Sequence, residues 1–508
     1  MKRIGSGATL TRRELLEAAA LTAAGAVLVT PAVLAAEDRG SRAASTVVVT
    51  TDGRGDFGPD TAGTRTSGIQ EAIEAAHAAG GGVVLLRGGV YLVDNVMPPP
   101  REAGKLGCGP ASLQLYDDIT LRGEGMDRTI VRVGAKCNTN TMLAWESSRI
   151  SIEDLTLDGA GLNAGYGIAI FGMKDAFAEV CLQRVKATGF GGSAIAVAGG
   201  RRVMIEQCVG INSKIGFEMG APSEDYLVLH CTAYGCWNGT LGFNSADQFN
   251  EAGNLRPRVI GGLYDGEAKA SGVALWDCFE AMVVGVVARR GVTTNIQISS
   301  SHRKTITTPV GGGLIEACVA EGSVASKAGR YGVGACQDGV RVVGCTIAGN
   351  EDVGVLAAPG KGGMVAVHQC TFRAGQREAQ RYAIRAEGQQ LALRASGNLY
   401  EGPEGGFIAN PEALVVPGSL LSENSGFNPV GLVRAPQVPS SGDFAVNVHP
   451  YAVQIYLHSG GLIKAIKRDL RGATAEVGRS PNVSVALQPG EAIGVEYHAR
   501  PRWSWFGG

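Results

Sequence analysis

Residues 205–219 read Ile205-Glu206-Gln207-Cys208-Val209-Gly210-Ile211-Asn212-Ser213-Lys214-Ile215-Gly216-Phe217-Glu218-Met219, and both ends of this stretch recur along the chain. The first phrase, which ends in cysteine, returns as Leu229-His230-Cys231, Val343-Gly344-Cys345 and His368-Gln369-Cys370. The second phrase alternates apolar residues after a small residue, and it returns as Gly167-Ile168-Ala169-Ile170, Ala194-Ile195-Ala196-Val197, Gly272-Val273-Ala274-Leu275 and Gly354-Val355-Leu356. Short alternating strands that repeat every 22–32 residues or so are typical of a solenoid.

The class of solenoid follows from what the repeat lacks. Leucine-rich repeats need a Leu/Asn signature, helical repeats need longer segments of period 3.6, and the chain has neither. We therefore predict an all-β chain whose body, residues 117–413, is a parallel β-helix of about ten or eleven coils. The cysteines are expected to stack inside the tube, as small apolar residues. A metal-binding role for them is rejected because no CxxC pair or His/Cys cluster is present.

The segments before and after the repeat differ from it in composition and in pattern. Residues 45–116 combine strands with a helical stretch and are predicted to form a strand-helix-strand cap over the open end of the solenoid. Residues 414–443 are rich in Pro, Gly and Ser and are interpreted as a linker. Residues 444–508 contain short strands and a Pro-Gly turn, which predicts a small C-terminal β module.

Residues 1–36 are predicted to be a cleaved export signal. A basic start with the pair Arg12-Arg13 precedes 19 uncharged residues and a small-residue end. The sequence Thr11-Arg12-Arg13-Glu14-Leu15-Leu16 resembles the twin-arginine export motif, which implies a periplasmic or secreted protein that folds before it crosses the membrane. A retained membrane anchor is the alternative, because the uncharged run nearly reaches the length of a bilayer span.

Composition excludes several function classes. The formal net charge is -1 and 18% of residues are charged, which argues against a nucleic-acid-binding face and against a polybasic membrane contact. With 45% of residues hydrophobic, the chain has enough apolar side chains for a large core, so global disorder is excluded.

The start of the chain carries a family resemblance. Asp52-Gly53-x-Gly55-Asp56, Ile69-Gln70-x-Ala72-Ile73, Gly81-Gly82-Val83-Val84 and Gly89-x-Tyr91 resemble the first segments of pectate-lyase-like β-helix proteins. That superfamily includes polygalacturonase-like enzymes and phage tailspikes, and the layout is also similar to twin-arginine-translocated β-helix repeat proteins. The resemblance implies a right-handed parallel β-helix that acts on or binds a polysaccharide. Trimers are common among tailspike-like relatives. A homotrimer formed through the C-terminal module is therefore an open alternative for this chain.

One outward row of the predicted helix contains a single carboxylate. Alignment of the recurrent strands places Ala169, Ala196, Glu218, Asn244, Ala274 and Gln297 on one rung, with neighbouring coils about 4.8 Å apart. The small residues on both sides leave room for a chain-like ligand across the coils. Glu218 is therefore the first candidate for a catalytic residue, and an ordinary solvated glutamate is the alternative.

Polar, basic and aromatic residues follow the same strands in the middle of the solenoid. Asp247, Asp277 and His302 are further candidates for catalysis, and the residues expected to bind substrate are Trp276, Arg256, Arg258, Arg303 and Lys304. Cations suit uronate carboxylates and an indole suits a sugar ring, so this composition is typical of a polysaccharide groove. Solvated loops without a function are the alternative.

These residues favour an exported polysaccharide lyase or glycoside hydrolase on an acidic or complex polysaccharide. A non-catalytic polysaccharide-binding or envelope protein on the same scaffold is the alternative. It gains weight because the chain lacks the Gly-His-Gly and Arg-Ile-Lys motifs of polygalacturonases and the Asp-Pro-His-Asp signature of epimerases. No cofactor is expected; calcium is the open alternative, but the sequence shows no acidic cluster in register that would support it.

Overall fold

The structure is a computed structural model. It describes residues 45–105, 108–135, 139–161, 165–172, 177–244, 253–301, 306, 309–324, 331–360, 362–374, 380–388, 391–401, 406–410, 419–424, 431–449, 451–458, 462–470 and 472–507. Within them, a parallel β-solenoid is followed by a separate β module with its own core. The leader predicted for residues 1–36 lies outside the described residues.

One wall of the solenoid is a parallel sheet with a single strand from each coil, which we call the face sheet. Its twelve strands are Ala111–Leu115, Asn140–Trp145, Ile168–Phe171, Ser193–Ala198, Ile215–Gly220, Gly239–Phe243, Ser271–Trp276, Thr294–Ser299, Tyr331–Cys336, Val353–Ala357, Tyr382–Ala386 and Gly406–Ile408. Eleven of them fall within residues 117–413, in agreement with the ten or eleven coils that the repeat predicts.

The other walls form one continuous parallel sheet, the back sheet, in which most coils contribute two short strands. Its strands are Ser45–Val49, Gly82–Leu86, Gly89–Val93, Ile119–Arg122, Thr129–Val133, Ile150–Asp158, Ala178–Thr188, Arg201–Glu206, Val209–Ile211, Ser223–Leu229, Thr232–Tyr234, Asn254–Leu255, Arg258–Ile260, Leu263–Asp265, Cys278–Phe279, Met282–Val284, Val287–Arg289, Gly313–Glu316, Val319–Glu321, Val340–Val343, Thr346–Ala348, Met364–His368, Thr371–Arg373, Ala392–Ser396, Leu399–Glu401 and Leu420–Ser422. Most of their inward side chains are Val, Ile, Leu and Ala, and the buried rings of Tyr91, Tyr226, Tyr264 and Phe372 help to fill the tube.

Corners between paired back-sheet strands explain the cysteine phrase. A residue in the left-handed region, such as Gln207 or His230, turns the chain, and the cysteine after it points into the tube. Cys208 stacks on Cys231, and a second stack consists of Cys318, Cys345 and Cys370; all five are buried. Cys181 is an exception to the prediction. It precedes Cys208 by 27 residues, a spacing within the repeat period, yet it pairs with Met204 on an outward row and is not fully buried.

The parallel pairing of the back sheet begins at Ser45–Val49, before residue 117, where the β-helix was predicted to start. Ser45–Val49 pairs in register with Gly82–Leu86, which pairs with Ile119–Arg122. The helix Ile69–Ala78 follows the predicted apolar spacing and buries that side against these first strands. A second helix, Arg101–Lys105, has one turn. No helix among the described residues is long and apolar enough to span a bilayer.

The C-terminal module consists of two antiparallel four-stranded sheets. The strands of the first are Gly431–Val433, Val453–His458, Ser484–Leu487 and Arg502–Gly507, and those of the second are Phe444–Val446, Ile463–Asp469, Thr474–Gly478 and Ala492–Tyr497. Trp505 is fully buried between them. The module therefore begins inside the predicted linker, because Gly431–Val433 pairs with the last strand.

Candidate functional site

The register of the face sheet defines the row of side chains that contains Glu218. This outward rung comprises Leu143, Ala169, Ala196, Glu218, Gly242, Ala274 and Gln297. The prediction of Asn244 on this rung is wrong by two residues, and Gly242 occupies the position. The strand ends at Phe243, so Asn244 falls on the next outward position, where the long connection to residue 253 begins.

Glu218 is held by side chains from both neighbouring coils. The Ser193 hydroxyl on the preceding coil donates a hydrogen bond to Oε2, and Nδ2 of Asn244 on the following coil donates to Oε1 over 2.7 Å. Glu218 is half-buried and points outward, whereas its neighbours in the strand, Phe217 and Met219, point into the tube. Its two oxygens are thus fixed in direction while the group keeps access to solvent.

The surface around this carboxylate is made of very small residues. Gly242 and Ala274 continue the rung, and Gly220 lies two residues beyond Glu218 on the same strand. A Cβ at Gly220 would lie 2.3 Å from the Cβ of Ala198, so only glycine fits this close approach. At Gly242 the nearest atom to an added Cβ would be 3.6 Å away, so the space above that residue is open.

The face sheet is accessible over three coils and covered on both sides of them. On the N-terminal side Leu143 and Ala169 are buried against Tyr166 and Phe171, and on the C-terminal side Gln297 is 6% exposed. Ala196, between Ala169 and Glu218 on the rung, is buried as well, whereas the outward residues from Glu218 to Ala274 are half-buried or exposed. We call this region the window, and it consists of Glu218, Gly220, Gly242, Asn244, Ala274 and Trp276.

Asn254, a buried residue at the start of a back-sheet strand, fixes one edge of the window. It is fully buried, and its Oδ1 accepts a hydrogen bond from Ser223. Its Nδ2 donates to the backbone carbonyls of Asn244 and Trp276, over 2.9 and 3.0 Å. The Asn254 amide therefore links the backbones of Asn244 and Trp276, whose side chains are the two larger ones beside Gly242.

Asp277 does not belong to the window, which corrects its assignment to catalysis. Its side chain has no exposed surface. Ser301 donates hydrogen bonds of 2.7 Å to both carboxylate oxygens, one from its backbone N–H and one from its hydroxyl. A left-handed backbone at Asp277 turns the carboxylate into this corner, where it holds the next coil. We therefore assign it a structural role.

The two arginines proposed to bind substrate also lie elsewhere. Arg256 lies in the left-handed corner between the back-sheet strands Asn254–Leu255 and Arg258–Ile260, and Arg258 begins the second of them, so neither is on the face sheet. Arg256 is paired with Asp225 and Glu224 on the preceding coil, and these hydrogen bonds raise the pKa of its guanidinium. Arg258 is exposed. Arg256 is thus neutralised by structural carboxylates.

The remaining predicted site residues are not all visible. Trp276 is in the window and half-buried, whereas Asp247, His302, Arg303 and Lys304 lie outside the described residues. In the described part of the chain, no three His, Cys, Asp or Glu side chains are grouped so as to hold a metal ion.

Sequence reasoning missed two residues near Glu218. The Ser193 hydroxyl donates a hydrogen bond to the Glu218 carboxylate. Tyr166 lies where the covered face meets the window. Burial, and to a smaller degree the charge of Glu218, raises the pKa of its phenol. The Gly165-Tyr166-Gly167 context before a recurrent strand was the available signal for Tyr166.

Comparison with known proteins gives partial sequence matches. No protein-family profile matches the chain. The mannuronan C5-epimerase AlgE3 of Azotobacter vinelandii is 34% identical over 145 residues, which are 26% of this chain and 7% of the epimerase. AlgE4 from the same organism is 37% identical over 97 residues, 18% of this chain and 16% of the epimerase. The chain therefore spans a small part of the length of these relatives.

Solved structures cover much more of the chain. The A-module of Azotobacter vinelandii AlgE4 has a TM-score of 0.55 at 19% identity, over 75% of this chain and 100% of the module. The catalytic domain of a GH87 α-1,3-glucanase has a TM-score of 0.50 at 12% identity, over 72% of this chain and 68% of that domain. Right-handed crossovers are also the rule between parallel strands of one sheet. The chain has the pectate-lyase-like fold, a right-handed parallel β-helix.

Proposed function

We propose that the protein acts on an acidic polysaccharide bound across the coils in the window, with Glu218 as the base. The observation that carries this proposal is the fixed, accessible carboxylate of Glu218 beside a floor of glycine and alanine. The floor crosses three coils, a span of about 10 Å between the outer strands, which suits a chain-like ligand. Trp276 offers a ring for stacking on a sugar.

The class of reaction follows from the number of carboxylates. Hydrolysis of a glycosidic bond needs two carboxyl groups, either about 5–5.5 Å or about 6.5–9.5 Å apart. Glu218 is the single carboxylate of the window as defined by the described residues. One base is enough to remove the proton beside a uronate carboxylate, and the sequence relatives are named mannuronan C5-epimerases. A uronate polymer is therefore the proposed substrate class.

In this step the Glu218 carboxylate takes the C5 proton and the C–H electron pair passes into the uronate carboxylate. Return of a proton from solvent water to the other face inverts C5. Expulsion of the oxygen at C4, which takes up a proton, leaves an unsaturated uronate and breaks the chain. The Ser193 and Asn244 donors keep the base oriented for either outcome.

Incubation with a mannuronan and a polygalacturonate in deuterated water tests the proposal. NMR should show deuterium at C5 if a proton returns to that carbon, and ultraviolet absorbance of an unsaturated uronate should appear if elimination follows instead. Glu218→Gln should abolish exchange, whereas Glu206→Gln should not, since Glu206 is a half-buried glutamate of the back sheet bonded to Gln183. New reducing ends with neither C5 exchange nor ultraviolet absorbance would instead mean a hydrolase.

A non-catalytic polysaccharide-binding protein is the second candidate. It is favoured by the Glu218 carboxylate being bonded to Ser193 and Asn244 rather than facing a second ionisable group. Retention of the protein by a polysaccharide without any C5 exchange or new reducing ends would support this candidate.

Export by the twin-arginine pathway to the periplasm or the medium fits a polysaccharide substrate. The proposal rests on the Arg12-Arg13 pair and the uncharged run that follows it. An Arg12→Lys, Arg13→Lys variant that is still exported and processed would contradict it.

A further inference from the structure

The outer face of the first sheet of the C-terminal module combines two features. It carries exposed aromatic rings, and its four strands contain no aspartate or glutamate. Tyr456 is 45% exposed, and its ring meets that of Phe506 edge-on at 5.2 Å between centroids. Next to Phe506, Leu432 is 72% exposed. Trp505, the residue before Phe506 in the same strand, points the opposite way and is buried in the core.

An open cavity of about 540 Å³ lies on this face. Its lining includes Tyr456 and Phe506 together with His458, Asn482 and Val483. The volume falls in the range of ligand sites, and the mixture of rings with an imidazole and an amide suits a molecule that has both apolar faces and hydroxyl groups. A sugar ring has that character, since its C–H face stacks on aromatic rings and its hydroxyls bond to polar side chains.

The charge of the face selects the kind of sugar. Arg502 is exposed directly opposite His458 in the antiparallel ladder, and it forms no ion pair with any described residue. The module's second sheet is different, because it contains acidic residues, and two of its cations are paired with them, Lys467 with Glu496 and Arg468 with Glu491. A face with an unpaired guanidinium and no acid attracts an anion, such as a uronate carboxylate.

From these observations we propose that the C-terminal module carries a second site for acidic polysaccharide, which we call the platform: Tyr456, Phe506, His458, Asn482 and Arg502. The proposal rests on the function proposed for the window and deepens it. The platform holds one part of a polyuronate chain while the window holds another, so that the two sites together bind more tightly than either alone.

Electrophoresis of the full-length protein through gels that contain polygalacturonate or a neutral dextran tests the platform. The Gly242→Leu variant, in which the window is filled, should still be retarded by polygalacturonate. Adding Tyr456→Ala and Phe506→Ala should weaken this retardation about tenfold in apparent Kd, and Arg502→Ala should make it less sensitive to salt. Phe444→Ala is the matched control, because Phe444 is a partly exposed ring on the second sheet.

Unchanged retardation in the Tyr456→Ala, Phe506→Ala variant, with native circular dichroism, would overturn the platform. If Gly242→Leu then removed retardation by itself, the window would be the site that binds the polysaccharide and its proposed function would stand without the platform.

Loss of retardation in the platform variants only would support the platform as the binding site and would contradict binding in the window. A wild-type chain that polygalacturonate does not retard would overturn both. A trimer in sedimentation velocity that Tyr456→Ala dissociates would make this face a subunit contact and overturn the platform.

Discussion

The side-chain amide of Asn244 donates a hydrogen bond of 2.7 Å to Oε1 of Glu218, although the two residues are 26 positions apart in the chain. The contact exists because the solenoid places successive coils about 4.8 Å apart. A residue at the end of one strand can therefore orient a carboxylate on the coil before it. Ser193 does the same from the other side.

Removal of either donor should slow the proposed reaction without changing the fold. Asn244→Ala and Ser193→Ala each leave Glu218 with one partner, and we expect C5 exchange to fall about tenfold in kcat, or about 1.4 kcal/mol in activation free energy. Because both donors act on one group, the double variant should lose less than the sum of the two effects. Full additivity, or no effect of either change, would contradict a shared role in positioning.

Tyr166 should report the charge of Glu218. In the folded chain, burial and the nearby carboxylate raise the pKa of its phenol, so Glu218→Gln should lower that pKa. Subtraction of the ultraviolet titration of Tyr166→Phe from that of the parent isolates this phenol. If the pKa of Tyr166 is the same in both backgrounds, the two groups do not interact.

The raised pKa of Tyr166 also has a consequence for stability. A group whose pKa is higher in the folded chain contributes fully below its unfolded-state pKa, about 10 for tyrosine, and the contribution is lost as pH rises through the folded-state value. The parent should therefore lose stability relative to Tyr166→Phe in urea denaturation above about pH 10. Parallel stability curves for the two proteins across this range would be evidence against it.

Asp277 should matter for stability rather than for chemistry. Asp277→Ala leaves the Ser301 N–H and hydroxyl without their buried acceptor, which should lower the free energy of unfolding by about 2 kcal/mol. Glu280→Ala is the control, since Glu280 occupies an exposed corner with the same left-handed backbone. Equal denaturation midpoints for Asp277→Ala and the parent, with loss of activity in Asp277→Ala, would return Asp277 to the active site.

The fold was predictable from the sequence because each coil must bury a row of apolar side chains and turn the chain at similar positions. An inward apolar row, a left-handed corner and a buried cysteine recur at a regular spacing, as in Gln207-Cys208 and His230-Cys231. Cys181 shows the limit of such counting, since spacing alone does not reveal which way a side chain points.

The candidate site was predictable only in part. Glu218 stands out by its position among small residues, but Asn244 was placed on the wrong rung because the strand ends before it. Asp277 and Arg256 were misjudged because charge in a sequence does not show whether a partner, here Ser301 or Asp225, already occupies the group. Burial and pairing depend on neighbouring coils 24 to 31 residues away.

The most direct test of the account is to fill the floor of the window. At Gly242 an added Cβ has ordinary van der Waals room, 3.6 Å from its nearest atom, so neither Gly242→Ala nor Gly242→Leu should unfold the coil. The measurement is C5 proton exchange on a polyuronate by both variants at equal native circular dichroism. We predict near-parental exchange for Gly242→Ala and loss of at least about tenfold for Gly242→Leu. Equal exchange by Gly242→Leu and the parent would show that the polysaccharide does not lie across the window.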